Sequence, residues 1–355
     1  MIFPLPICSG SFVKVFTFPN WLDLRGFSFY TSYDTVLSLG PMHFRIKRLL
    51  IIGIMGLLGL MLTACGRYWD LSKIVAKNFA YEIQNPVQLP ASKLKMSLLG
   101  NPESQELSAG WVGHSTVLIN FSGTTVLTDP NFSRRIKIAR RVVDLPLEPE
   151  DIKNLHLILI SHAHYDHLDL PSLKQLPKGA LLVIPPGCRD LVEGLGFAGV
   201  KELDWNERFH FQDLEIEAFK PAHWAKRTWF DDTVRGYNAY LLTKKGKTIL
   251  FAGDTGYSQT FAEKSKGREL LVSFLPITAY KPDWFRRNHL TPEEALQILQ
   301  ETHSQFMIPI HWGTFILSHE PLDEPIERLK TEATRLGIPD KVVILKHGES
   351  FTVPE

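Results

Sequence analysis

The residues Ser161-His162-Ala163-His164-Tyr165-Asp166-His167-Leu168-Asp169 place three histidines and a carboxylate within six positions. Packed so densely beside an apolar run, imidazoles and carboxylates would repel one another or need partners. A divalent cation satisfies all of them at once. The chain has only 13 histidines in 355 residues, so a chance cluster of unrelated surface histidines is a poor alternative. Three further candidates stand alone in the sequence: His223, the acidic Asp254 between Gly253 and Thr255-Gly256, and His311.

Strands must position these groups. Leu157-Ile158-Leu159-Ile160 is a short apolar run bounded by polar residues, which predicts a buried strand opening into the histidine cluster. Leu214, Ile216 and Ala218 alternate with Glu215 and Glu217 and run toward His223. Thr248 to Ala252 leads to Asp254, and Phe306 to Ile310 leads to His311. Further strands are expected at 111–119, 124–127, 181–184, 237–242, 271–277 and, closing the chain, 342–345. Helix starts are expected at Pro171-Ser172-Leu173 and Thr291-Pro292-Glu293-Glu294, with another helix around 322–336. His162, His164, Asp166, His167, His223, Asp254 and His311 thus all follow strand ends, where loops on a rigid scaffold hold reactive groups best. Seven nitrogen and oxygen ligands exceed one tetrahedral site but suit two metals sharing a carboxylate.

Other groups surround this set. Asp129 in Thr128-Asp129-Pro130 and Asp169 fit carboxylates that orient ligand imidazoles, although Asp169 equally fits a turn cap. His114 is expected near the site. The basic stretch Arg134, Arg135, Lys137, Arg140 and Arg141 reads first as a solvated face; in a functional role it would meet anionic headgroups. A net charge of +1 gives no sign of a nucleic-acid partner. Cys8, Cys65 and Cys188 lie too far apart for a thiolate metal site or a disulfide framework.

The N-terminal part reads as an address. Met42 is followed by Arg45, Lys47 and Arg48, the apolar run Leu49 to Leu62, and Thr63-Ala64-Cys65. Leu62-Thr63-Ala64-Cys65 resembles the bacterial lipobox, which makes 42–65 a lipoprotein signal peptide and Cys65 a lipidation site, with a plain transmembrane anchor as the alternative. Residues 1–41 are then an upstream extension, 66–108 a tether and entry segment, and 109–355 the domain that holds the histidine cluster. The expected location is the bacterial cell envelope, as a lipoprotein anchored on the periplasmic face of the outer membrane.

The order His-x-His-x-Asp-His, lone His, Gly-Asp, final His resembles the metallo-β-lactamase superfamily over about 105–350. That resemblance implies an α/β fold, a four-layer αββα sandwich, and two zinc ions. One zinc would take His162, His164 and His223, the other Asp166, His167 and His311, with Asp254 bridging. A nearer likeness is to the N-acyl-phosphatidylethanolamine-hydrolysing phospholipase D group and to RomA-type membrane-associated bacterial proteins. It is carried by Gly113-His114-Ser115-Thr116-Val117, Thr128-Asp129-Pro130, His223-Trp224-Ala225-Lys226-Arg227-Thr228, Phe251-Ala252-Gly253-Asp254-Thr255-Gly256-Tyr257, Pro276-Ile277-Thr278-Ala279-Tyr280 and His311-Trp312-Gly313-Thr314-Phe315. His289 with Pro292-Glu293-Glu294-Ala295 matches too. Leu170 and Asn288 depart from that group, which carries a tyrosine and a glutamine there. The likeness implies phosphodiester hydrolysis by a metal-bridging hydroxide. Asp254 would hold the bridge, and His289, behind Arg286 and Arg287, would bind phosphate or protonate the leaving oxygen. The expected partners are a phospholipid substrate and a membrane reached through the lipid anchor; a homodimer is compatible with the sequence. Two other functions fit the same residues: a lactonase of phosphorylated sugars, and a non-catalytic envelope lipoprotein that keeps zinc for stability.

Overall fold

The structure, a computed structural model, describes residues 66–94, 106–228 and 231–354. The signal peptide at 42–65, the lipidation site Cys65 and the extension 1–41 lie outside the described residues. Chain contacts separate Met1–Trp69 from a second unit, Asp70–Glu355, which carries everything that follows.

In chain order the strands are β1 (Leu107–Gly113), β2 (Thr116–Phe121), β3 (Thr124–Thr128), the short pair β4 (Arg135–Ile136) and β5 (Ala139–Arg140), and β6 (Leu157–Leu159). Then come β7 (Leu181–Ile184), β8 (Gly199–Glu202), β9 (Arg208–Phe211), β10 (Leu214–Phe219) and β11 (Ala239–Lys244). The last are β12 (Lys247–Phe251), β13 (Glu269–Pro276), β14 (Phe306–Ile310) and β15 (Ser350–Thr352). The helices are α1 (Gly66–Gln84), α2 (Leu170–Gln175), α3 (Arg189–Val192), α4 (Thr260–Ser265), α5 (Pro292–Glu301) and α6 (Glu324–Arg335). Among the described residues, no helix is long and apolar enough to cross a membrane.

Alternation along the strands decides the layers, because successive side chains point to opposite faces of a sheet. One sheet runs β15-β1-β2-β3-β6-β7-β8 and the other β14-β13-β12-β11-β10-β9. Trp111, Val117, Ile119, Ile216, Tyr240, Leu242 and Phe251 meet in the core between them. The intervening residues face outward: Leu118, Leu127, Ile158 and Leu182 pack with Leu173 of α2 and Val192 of α3. On the second sheet Leu241 and Leu250 pack with Leu296 of α5 and Leu329 of α6. The result is the αββα sandwich.

Long-range contacts decide what local pattern leaves open. Within 66–108, expected as tether and entry segment, α1 is fixed to the body: Lys77 donates to the carbonyls of Ser318, His319 and Glu320, and Asn78 to that of Ile316. The closing strand is β15 rather than 342–345. Val342 makes only one bridge, to Met307, whereas Ser350–Thr352 completes the free edge of β1. Strands β8 and β9 carry half-exposed residues and no sustained apolar pattern, so periodicity does not announce them.

Candidate metal centre

Parallel pairing of β3 with β6 and of β13 with β12 and β14 brings the carboxyl ends of several strands to one edge. In parallel sheets this edge is where ligands gather. His162 follows β6, His223 follows β10, Asp254 follows β12 and His311 follows β14. Gly253 must be glycine. Its φ is +59°, and a Cβ would lie 2.5 Å from the Cβ of Ser161. The turn therefore brings Asp254 against the histidine loop. His114 (φ +53°), Asp129 (φ +33°) and His311 (φ +71°) also adopt left-handed backbone, which costs free energy in residues with a side chain.

Two donor clusters form. In the first, His162 Nε2 lies 2.8 Å and His223 Nε2 3.4 Å from His164 Nδ1. The same His162 and His223 atoms each stand 4.0 Å from Asp254 Oδ2. In the second, Asp166 Oδ2 lies 3.4 Å from His167 Nε2 and 3.7 Å from His311 Nε2. Asp254 joins the two: its Oδ2 is 3.1 Å from His167 Nε2 and its Oδ1 is 3.2 Å from His311 Nε2. All seven residues expected as ligands thus meet at one place.

The outer hydrogen bonds fix which nitrogen carries the proton. Ser161 Oγ donates to Asp129 Oδ2 and so accepts from His162 Nδ1–H at 2.9 Å. His167 Nδ1–H donates to Asp129 Oδ2 at 2.7 Å, and His223 Nδ1–H to the Asn288 carbonyl at 3.0 Å. Thr278 Oγ1 donates to the His311 carbonyl and accepts from His311 Nδ1–H. Each arrangement turns Nε2 into the cluster, where the deprotonated ring would offer its lone pair. His167 Nε2, His311 Nε2 and Asp254 Oδ1 are buried and have no hydrogen-bond partner. Buried polar atoms are seldom left so. Divalent cations fit this donor set, with lone pairs of imidazole and carboxylate converging from both clusters.

Charge in the site agrees. Burial holds His162 well below the ordinary imidazole value, His164 down at about 3 and His223 at about 4, so all three are neutral, as metal ligands must be. Burial alone would raise the Asp254 carboxyl, but His167 and His311 outweigh it and hold it well below the carboxylate range. Burial likewise opposes protonation of His167 and His311, yet Asp254 and Asp166 push His167 well up and His311 to about 9. Protons sit there where cations would.

Other expectations sort themselves by contact. Asp129 contacts His167 directly and His162 through Ser161. His114 is fully buried and its Nε2 lies 3.0 Å from Asp166 Oδ2. His289 reaches the site, with Nδ1 3.7 Å from Asp254 Oδ2. Asp169 is a correction: it touches no imidazole. Its Oδ2 accepts from Ser172 N and Ser133 Oγ, capping α2, whose free N–H groups need an acceptor. The turn-cap alternative is what the structure holds. Arg227, in a motif that carries the phospholipase D likeness, is buried and donates to the carbonyls of Ala163 and Leu168. It braces the histidine loop. Arg141 of the basic stretch is also buried, donating to the carbonyls of Asn131 and Ser133. Ser161 and Thr278 were not singled out by the sequence. A hydroxyl beside a ligand gives no pattern, although Ser161 abuts the cluster and Thr278 lies in a motif of the resemblance.

Comparisons with known proteins agree with this geometry. Residues 124–312 match the β-lactamase superfamily domain. The chain is 32% identical over 255 residues to the mitochondrial N-acyl-phosphatidylethanolamine-hydrolyzing phospholipase D of Saccharomyces cerevisiae, covering 68% of this chain and 54% of that protein. It thus spans about half the length of the yeast relative. It is 30% identical over 247 residues to N-acyl-phosphatidylethanolamine-hydrolyzing phospholipase D 1 of Caenorhabditis elegans, covering 63% of this chain and 69% of that protein. A metallo hydrolase structure from Ignicoccus hospitalis superposes with a TM-score of 0.55 at 20% identity, over 70% of this chain and 99% of that one. That likeness supports the fold.

Proposed function

The chain belongs to the β-lactamase superfamily and is a metal-dependent hydrolase, and we propose that it cleaves phospholipid phosphodiesters in the manner of a phospholipase D. The observation that carries this reading is the meeting of two donor clusters at Asp254, in a chain similar to relatives named for that activity. N-acyl-phosphatidylethanolamine or a related lipid is the proposed substrate. The proposed cofactor is a pair of zinc ions, one held by His162, His164 and His223, the other by Asp166, His167 and His311, with Asp254 common to both. Bound there, the ions would supply Lewis-acid activation of water and neutralise charge that builds on the phosphoryl oxygens.

The chain's own residues do the positioning. Asp254 is set by the tight turn at Gly253; its Oδ2 faces both clusters and its Oδ1 faces His311. His289 is partly exposed beside Asp254, on the solvent side of the ligands. Burial pushes its imidazole down to about 3, so it is neutral near pH 7. A neutral ring can hold a phosphoryl oxygen through N–H, which favours that role over protonating the leaving oxygen. Of the two departures from the phospholipase D pattern, Leu170 packs into the outer core and Asn288 spends its carbonyl on His223. Neither disturbs the ligands.

The test is to incubate the zinc-loaded protein with N-acyl-phosphatidylethanolamine, phosphatidylcholine and a phosphorylated sugar lactone. Phosphatidic acid should appear and should vanish in Asp254→Asn. Lactone opening with intact phospholipid would refute the reading. We further propose that the anchor is an acylated Cys65 in the cell envelope; mass spectrometry of the processed N-terminus should find two or three acyl chains there, and an unmodified Cys65 would exclude it.

A further inference from the structure

Large apolar side chains on the described surface are not scattered. Of seven that are exposed, five are Phe79, Ile83, Val87, Leu89 and Ile138. Phe79 and Ile83 lie one turn apart on α1, and Val87 and Leu89 follow on the segment after it. Ile138 is at the tip of the β4–β5 hairpin. Hydrogen bonds draw these pieces together. Arg135 pairs with Glu82 and donates to the Ile138 carbonyl at 3.0 Å. Arg140 donates to the carbonyls of Asn85 and Pro86, and Leu89 N–H to the Val142 carbonyl at 2.9 Å. Backbone and side-chain polar groups thus tie these pieces together, and the five apolar side chains are left exposed among the exposed cations Arg134, Arg135 and Lys137. Single exposed apolar residues need no explanation, but a gathered set marks a contact surface.

The same hairpin borders the metal centre. Ile136 and Ala139 pack with Phe315 and Tyr165, and Lys137 Nζ lies 3.7 Å over the Tyr165 ring. Tyr165 is the residue between His164 and Asp166.

Sequence and charge choose the occupant. The helix α1 begins at the residue after Cys65, where the apolar run Leu49 to Leu62 has just ended. Arg134, Arg135, Lys137 and Arg140 rim the face, and Glu82 is their one acidic ion-pair partner among the described residues. A second copy docking face to face would set these cations against their own kind. Lipid phosphates would be complementary to them. We infer that Phe79, Ile83, Val87, Leu89 and Ile138 form a bilayer-docking face that seats the mouth of the metal centre at the headgroup boundary. This rests on the membrane-directed reading of 42–65 and not on the choice of substrate.

The test reconstitutes the full chain in vesicles of phosphatidylethanolamine and phosphatidylglycerol whose acyl chains carry a diazirine. Illumination and peptide mass spectrometry should place adducts in 79–89 and 135–140 and none in α6. In Ile83→Glu/Ile138→Glu those adducts should fall about tenfold, while adducts N-terminal to Gly66 persist. Hydrolysis of lipid in the vesicles should fall with them, and turnover of the soluble bis(4-nitrophenyl) phosphate should stay unchanged. Adducts confined to the segment before Gly66 would overturn the docking face. So would a wild-type dimer in detergent that the double variant splits, since the face would then belong to a second copy. Absence of phosphodiester turnover with the adducts in place would instead fault the substrate reading and leave the face standing.

Discussion

Each ligand imidazole that donates through Nδ1 hands that proton to a single oxygen, and those oxygens are the cheapest places to disturb the metal centre without touching a ligand. Thr278 is the clearest case, since its hydroxyl bridges the ring and the carbonyl of His311. Thr278→Val removes both bonds at constant volume. Metal affinity should fall about 10- to 100-fold, read by titration with a competing chelator, and an unchanged affinity would show that packing alone orients His311. Away from the metals, burial holds the His347 imidazole at about 3, with the positive Arg141 adding to the effect. Its unfolded value is near 6.5. Between pH 6.5 and 3 the unfolded chain takes up a proton that the native state refuses, so stability is lost as pH falls through that window. His347→Gln keeps a hydrogen-bond partner for Thr314 and should flatten the decline of the urea midpoint from pH 7 to 4 in the metal-loaded protein; an identical decline would remove His347 from the acid response.

At the scale of elements, the legible parts were those whose signal is local. The apolar run before His162, the alternation of Leu214, Ile216 and Ala218, and Thr291-Pro292-Glu293-Glu294 all became the expected strand or helix. Thr291 and Glu294 form a full capping box. What local pattern could not decide was the duty of a polar side chain with two chemically sound partners. Asp169 stands two residues after a ligand histidine and one before a helix, and the helix takes it. The distinction is measurable. Asp169→Ala should cost about 1 kcal/mol in unfolding free energy while zinc stoichiometry stays at the wild-type value. A loss of metal matching the loss of stability would return Asp169 to the orienting role. The helix α1 was illegible for a different reason: its anchoring partners, the carbonyls of Ile316 and of Ser318 to Glu320, lie some 240 positions away. No sequence window contains them.

At the scale of the whole molecule, the ligands come from loops that belong to two different sheets. His162, His164, Asp166 and His167 follow β6 of the first sheet, and His223, Asp254 and His311 follow strands of the second. Ions bound at Asp254 would therefore tie the two halves of the sandwich, so metal binding and global stability should be linked. A ligand that binds only the native state at 100 times its dissociation constant adds about 2.7 kcal/mol. With an unfolding entropy of about 2.1 cal/mol/K per residue, each kcal/mol shifts the melting temperature of a chain this size by roughly 1.5 °C. Stripping the protein with a chelator should then lower its melting temperature by about 4 °C for each ion lost, and added zinc should restore it in a concentration-dependent way. The shift should shrink by half or more in Asp254→Asn, which weakens the one carboxylate shared by both clusters. Glu293→Gln, which loses only a surface pair with Arg328 on the outer helices, should keep the full shift. A melting temperature indifferent to chelation, in protein shown by elemental analysis to have lost its metal, would mean that the sandwich closes without help from its centre.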